Sequence, residues 1–256
     1  GGSSAVASAA QPSLAPQTGK SLTVLTQWTG TEGDAFNAVV AEFNKETGAK
    51  VVAQAAGGNY ATVLGTKVSG GSPPGIAIVS LPSQIAQFAD KLAPLNADAT
   101  AAVKANYAST WADLATYKGQ VYGVPGDASD KSTVWYNTNL FQQAGLSDTP
   151  TTWDEFIQDA QQLNQSGITV PISVGGGDGW TLTDWFENVY IRSAGIDNYD
   201  KLTKHQIPWT APTVTTALNE LKKIWGDSSL IGDPANALKV GFTQSVDNVF
   251  KKSPTS

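Results

Sequence analysis

Between Tyr117 and Ala194 the residue pattern changes three times, from strand to helix, back to strand and again to helix. That alternation restricts the chain to an α/β architecture more firmly than any single motif does. Residues 120–124 read as a short strand broken by Pro125 and Gly126, and after a polar loop a second strand pattern runs over 133–136. A strand that stops and restarts suggests a crossing between two bodies. Pro150 and Thr151 then lead into a capping box, in which Thr152 accepts from the third helical amide and Glu155 reaches back to its N–H. The helix that follows carries Trp153, Phe156, Ile157, Ala160 and Leu163 on one stripe, and Gly167 closes it.

The last part of this stretch suggests chemistry. A buried strand pattern over 169–174 runs into GGGDGW, after which Thr183 is expected to cap a helix containing Asp184, Trp185 and Glu187. A strand, a glycine loop and a helix start place side chains at a strand's carboxyl end, where open α/β sheets bind ligands. Tryptophans interleaved with carboxylates fit a sugar: an aromatic face packs on the C–H side of a pyranose, and carboxylates take its hydroxyls in charge-assisted hydrogen bonds. The alternative is that Trp185 and Phe186 are core residues and the glycines merely turn the chain. For Trp185 both readings stay open, since Phe186, Val189 and Tyr190 serve the helix stripe better. Trp180 lies in the predicted loop and favours a ligand role.

The run YKGQVYGVP, the WYNTNLFQQAGL after it, PTTWDEF, and the GW, TLTDWFEN and AG words that follow resemble, in order and spacing, the extracellular solute-binding proteins of ABC importers, family 1 carbohydrate binders. The similarity extends over residues 22–250. It implies a type II periplasmic-binding-protein fold, α/β, with two lobes of parallel or mixed sheet joined by hinge strands and a mono- or oligosaccharide held between them. By that resemblance residues 1–19 are a tether, 20–120 a first lobe, 121–126 a hinge crossing and 127–256 a second lobe. Partners implied are a carbohydrate ligand and membrane permease subunits, with no cofactor, no catalysis and a monomeric state. The TLTDWFEN wording points towards glucosides such as malto- or gluco-oligosaccharides.

The first lobe opens with a strand pattern over 22–26 and a helix striped with Phe36, Val39, Val40 and Phe43 and ended by Gly48. In the resembled family the turn between them reaches the ligand, which makes Gln27, Trp28 and Glu32 candidate contacts; Glu32 also suits a helix N-terminus through the macrodipole. A strand over 50–53 and a helix over 60–68 follow. Where the family has an aspartate after paired prolines this chain has Gly75, a departure that weakens any role for that position. The run 76–79 still reads as a buried parallel strand, with Ser80 and Gln84 at its carboxyl end as candidates. Helices are expected over 101–108 and 111–117. Past the crossing, Asp127 and Lys131 are further candidates, although charges in loops are more often simply solvated. The candidate set is completed by Asp178, Trp180, Asp184 and Trp185. Thr210 is expected to cap a helix striped with Leu218, Leu221, Ile224 and Trp225, with Pro212 in its first turn, and Trp209 and Trp225 read as structural.

Composition removes other classes. The absence of cysteine excludes disulfides and thiolate metal sites, and the single histidine, His205, in a polar run leaves histidine-served nucleophiles and His/Cys zinc sites without support. A formal charge of −6 argues against nucleic acid, which requires a basic face. GGGDG lacks the lysine of a P-loop and the spacing of a dinucleotide fingerprint. A glycoside hydrolase using Asp178, Asp184 or Glu187 is the enzymatic alternative, because two positioned carboxylates suffice for that chemistry. A surface adhesin with a degenerate cleft is a third. The opening GGSSAVASAAQPSLAPQTG has too little to bury for independent folding. In the resembled family such a segment follows a lipidated cysteine, so an extracellular or periplasmic, membrane-anchored native form is expected. Because the family continues beyond the final KKSPTS, a truncated member with exposed apolar faces is expected as well.

Overall fold

The computed structural model describes residues 14–129, 131–147 and 149–251, so residues 1–13 of the expected tether and the final residues 252–256 lie outside it. The chain divides into two units, Gly1–Ala128 and Ser129–Ser256.

The first unit is built on β1 (Ser21–Thr26), α1 (Gly30–Thr47), β2 (Lys50–Ala55), α2 (Tyr60–Ser69) and β3 (Ile76–Ala77). The strands form a parallel sheet in the order β2-β1-β3, with Leu22 opposite Val51 and Val24 opposite Ile76. Parallel neighbours require crossovers, and the helical patterns between the strands supply them. Central β1 is the most buried: Val24, Leu25 and Thr26 are almost fully enclosed. Leu25 packs with Tyr60 and Leu64 of α2. Gly48 ends α1 in the left-handed conformation, φ 73°, its N–H donating to the Asn44 carbonyl. The Asn44 side chain then pairs with the Val51 backbone of β2 in both directions, at 2.9 and 2.8 Å.

Two expectations change here. The strand expected over 76–79 is only β3, with Ile78 N–H adding one bond to the Leu25 carbonyl, and Ile76 is 48% exposed rather than buried. The stripe of α1 is not sealed either, since Val39 and Phe43 are exposed. Gly75 is explained by packing: a Cβ there would lie 2.0 Å from Leu22 Cδ1, in space that the leucine fills.

The unit continues with α3 (Pro82–Phe88), α4 (Ala97–Asn106), α5 (Ser109–Leu114), β4 (Thr116–Tyr117) and β5 (Gln120–Val121). The helix expected over 111–117 therefore stops at Leu114, and the strand expected over 120–124 is two residues long. The cause is a tight antiparallel hairpin, Thr116 opposite Val121, turned by Lys118 at φ 47° and Gly119 at φ 79°. Two left-handed residues in a two-residue loop match the strand twist and commit the chain to fold back.

The second unit contains α6 (Thr138–Gln143), α7 (Trp153–Gln165), α8 (Trp180–Ala194), α9 (Ile196–Thr203), α10 (Pro212–Trp225), α11 (Ser228–Ile231), α12 (Pro234–Ala237) and α13 (Phe242–Phe250). The capping box of α7 forms as read: Glu155 N–H donates to Thr152 Oγ1 and Thr152 N–H to Glu155 Oε2, at 3.2 and 3.1 Å. Thr151 adds its hydroxyl and N–H to the same carboxylate, which holds the Glu155 pKa below its ordinary value. Two core clusters share their tryptophans. Ala160, Ile172, Val174, Ile224 and Leu230 form one, Val189, Tyr190, Val214, Ala217 and Leu221 the other, and Trp153, Trp185 and Trp225 pack against both.

Several boundaries differ from the sequence reading. α8 begins at Trp180, so Thr183 lies inside its first turn and donates to the Trp180 carbonyl instead of capping. α10 has Ala211 at its cap and Pro212 at its first position; its buried stripe runs through Val214, Ala217, Leu221 and Ile224, leaving Leu218 exposed. Among the described residues of this unit no strand forms over 133–136 or 169–174. A strand pattern needs a second extended backbone alongside it. Here Ile172 N–H donates to the Leu230 carbonyl at 2.9 Å without a ladder, and Val134 and Trp135 are 64% and 76% exposed.

Tyr60 gives a test of the first core. Its ring is 5% exposed, its hydroxyl has no hydrogen-bond partner among the described residues, and burial pushes its pKa up to about 12. The unfolded phenol ionises near its ordinary value while the folded one stays neutral, so stability is flat below about pH 10 and declines towards pH 12. Relative to Tyr60→Phe, the parent is expected to lose roughly 2 kcal/mol across that window, read from urea midpoints at each pH. At pH 7 the two should differ little, since the phenylalanine removes a hydroxyl that has no partner among the described residues.

Candidate functional site

At the carboxyl ends of β1 and β2 the first unit has a cleft of about 230 Å³. Trp28 forms one wall, half-buried, with its ring 5.2 Å from Phe36 at 59°. Its N–H donates to Thr26 Oγ1 at 3.0 Å, which fixes the backbone as it leaves β1. Ala53 and Ala55 of β2 keep the opposite side open, and Asp34 and Asn37 bring polar groups to the rim. These two were missed by the sequence reading. Gly30, Gly33, Asp34 and Asn37 follow the spacing of one helix face, which is the pattern that marks them. Gly33 packs closely on the turn, since a Cβ there would lie 3.0 Å from the Trp28 carbonyl oxygen.

The other first-unit candidates stand apart from this cleft. Gln27 is half-buried and does not line it, and Glu32 is exposed in the first turn of α1, where it complements the helix terminus. Ser80 and Asp127 are exposed. Gln84 is buried at the start of α3, its Oε1 accepting from Leu81 N–H at 3.3 Å, which gives it a capping role.

In the second unit the glycine loop is a packing surface. A Cβ on Gly175 would meet Ser245 Oγ at 2.9 Å, on Gly176 the Ala237 carbonyl oxygen at 3.0 Å, and on Gly177 the Val240 carbonyl oxygen at 3.0 Å. The segment joining α12 to α13 thus lies directly on the loop, and Gly177 N–H donates to the Val240 carbonyl at 2.8 Å. Asp178 is exposed, with one carboxylate oxygen accepting the Phe242 N–H at the head of α13. Trp180 is 47% exposed, its ring 5.0 Å from that of Phe242.

Asp184 and Trp185, although adjacent in sequence, face different surroundings. Lys131 Nζ lies 2.7 Å from Asp184 Oδ1, and Asn188 Nδ2 donates to the Ser132 carbonyl, so α8 anchors the segment around 131–132. Trp185 joins the two cores, within 6.4 Å of both Phe156 and Trp225. The packing reading that the sequence left open is the one its surroundings match. Glu187 accepts from the Tyr199 hydroxyl at 3.2 Å, and burial first, then the Glu187 charge, raise the Tyr199 pKa. Trp225 is built into the core as read, whereas Trp209 is 57% exposed and rests against Phe186. Among the described residues, no helix is long and apolar enough to cross a membrane.

Comparisons with known proteins agree with this architecture. The chain is 32% identical over 251 residues to the alpha-glucosides-binding periplasmic protein AglE of Rhizobium meliloti (strain 1021), covering 92% of this chain and 54% of that protein. It is 33% identical over 242 residues to the osmoprotective compounds-binding protein GgtB of Synechocystis sp. (strain ATCC 27184 / PCC 6803 / Kazusa), covering 92% and 57%. The chain thus spans about half the length of these curated relatives. Among solved structures, a chitin oligosaccharide binding protein superposes with a TM-score of 0.73 at 25% identity, over 91% of this chain and 59% of that one. The α/β architecture with its parallel sheet is that of the type II periplasmic-binding fold. Residues 27–249 match the family described as bacterial extracellular solute-binding protein, and the chain belongs to that family.

Proposed function

We propose that this chain is the sugar-capturing part of an ABC importer's binding component, taking a mono- or oligosaccharide, with a glucoside as the first candidate, and delivering it to membrane permease subunits. The observation that carries this reading is the cleft at the ends of β1 and β2, where a half-buried tryptophan faces open space and an aspartate and an asparagine stand at the rim. An aromatic wall with polar groups beside it matches the apolar face and hydroxyl edge of a pyranose. Its likeness to an alpha-glucoside binder supports the glucoside assignment. Binding without catalysis is favoured because the carboxylates first considered for hydrolysis are engaged in the fold: Asp178 with an amide, Asp184 with Lys131 and Glu187 with a tyrosine hydroxyl. The native protein is read as extracellular, monomeric and anchored through a lipidated N-terminus.

Titration of tryptophan fluorescence with glucose, maltose, trehalose and cellobiose, with thermal unfolding of the same samples, tests the reading. A saturable change with a raised midpoint is expected for at least one glucoside, corresponding to about 2.7 kcal/mol of stabilisation at a hundredfold excess over Kd. Trp28→Ala should weaken that affinity about tenfold or more, a loss of at least roughly 1.4 kcal/mol. A cooperatively unfolding protein that responds to none of these sugars overturns the assignment.

A further inference from the structure

We infer that Thr26 is a positioning residue of the first-unit cleft, its hydroxyl holding the Trp28 backbone so that the indole stands as the cleft wall. The inference rests on the sugar-binding reading above and names the buried group on which that wall depends.

Thr26 is the last residue of β1 and is 2% exposed. The parallel register sets it opposite Ala55, so the two side chains share the face of the sheet that lines the cleft together with Ala53. Its neighbours on that face are small and apolar. Valine would fill the same volume and suit the strand as well, without burying a hydroxyl, which is unfavourable unless the hydroxyl finds a partner. Here the partner is the Trp28 N–H, at 3.0 Å. That bond spans two residues, so it sets the direction of the backbone at the point where β1 ends.

The turn that follows is held at both peptide groups of Trp28. The Thr26 carbonyl accepts from Ala56 N–H at 2.8 Å, which fixes Thr26 against the end of β2 and makes its hydroxyl a stationary acceptor. Thr29, at the cap position of α1, makes no side-chain cap bond and so gives the turn no such grip. On the far side Gly33 lies against the Trp28 carbonyl, where a Cβ would come to 3.0 Å from the oxygen. Gripped at its N–H and confined at its C=O, Trp28 has a fixed Cα–Cβ direction, which sets the indole beside Phe36, 5.2 Å away. Without the hydroxyl the residue regains freedom about its own dihedrals. A wall that must be ordered when the sugar arrives binds more weakly than one ordered beforehand.

Calorimetric titration with glucose, maltose, trehalose and cellobiose tests this on the full chain, Thr26→Val, Thr26→Ser, Trp28→Ala and the double variant Thr26→Val with Trp28→Ala. For each sugar the parent binds, Thr26→Val should lose about fivefold in affinity, the effect of one neutral hydrogen bond. Thr26→Ser keeps the acceptor and should restore most of it. In the Trp28→Ala background, Thr26→Val should cause no further loss, because a residue that acts through Trp28 then has nothing to act on. General damage to β1 would instead weaken binding in both backgrounds. Parental affinity in Thr26→Val overturns the inference while leaving the sugar-binding reading intact. An equal loss with and without Trp28 also overturns it, as does a serine variant no better than valine. If valine prevents folding, Gly33→Ala tests the same turn from the carbonyl side: it should weaken binding in the parent and not in Trp28→Ala, and equal losses in the two overturn the inference. A parent chain that binds none of the four sugars overturns the glucoside reading and this inference together, and is distinguished by failing before any substitution is made.

Discussion

Tyr190→Ala is expected to destabilise the second unit by about 3–5 kcal/mol, the range for truncating a large aromatic in a packed core. The ring is fully buried, stacks on Phe186 at 5.3 Å, and belongs to the cluster of Val189, Val214, Ala217 and Leu221. Its hydroxyl also bonds Thr213 Oγ1 at 3.0 Å. The two contributions separate by substitution. Tyr190→Phe removes only the hydrogen bond and should cost about 1 kcal/mol, so most of the alanine effect belongs to packing. Urea unfolding of the three proteins checks this, and a phenylalanine variant as unstable as the alanine one would show that the hydroxyl dominates. Against a total stability of roughly 5–15 kcal/mol, the alanine variant stands close to unfolding.

Gly177→Ala carries the second large effect, with a different cause. A Cβ at this position would lie 3.0 Å from the Val240 carbonyl oxygen and 3.1 Å from the Lys239 carbonyl carbon, both backbone atoms. The same glycine donates its N–H to Val240, so the neighbouring strand of chain cannot withdraw without losing that bond. The expected cost is about 1–3 kcal/mol. Displacement of the α12–α13 connection should also carry Asp178 and the Phe242 N–H apart. Gly126→Ala is the control, having open space around it and an ordinary φ. It should change stability by no more than about 0.5 kcal/mol. Equal midpoints for the two variants would remove the packing account of the glycine loop.

The elements most legible in the sequence are those whose signals are local. Thr152 and Glu155 satisfy each other within one turn, and Gly48 can adopt its left-handed conformation whatever lies beyond it. The strand–helix alternation over β1, α1 and β2 was readable for the same reason. The β4–β5 hairpin was less so, because Lys118 in a left-handed turn is an uncommon choice and the neighbouring helix pattern conceals it. The candidate site was legible by residue type but only partly by position. Trp28 lines a cleft, while Glu32, three residues from its cap, does not, and Asp34 and Asn37 do.

By itself the sequence determined the capping box of α7, the Gly48 terminus of α1, the α/β class and the family, since each depends on residues close along the chain or on words repeated in order. Tertiary structure decided what long-range contact alone can decide. It placed Trp185 between two cores and left Trp180 half-exposed, although both are tryptophans on one helix. It turned GGGDG from a suspected ligand loop into a seat for α13, because whether a glycine serves flexibility or close approach depends on what lies against it. It also left the pattern at 133–136 without a ladder, since strand pairing is a property of two segments and a single segment's sequence specifies only its own half.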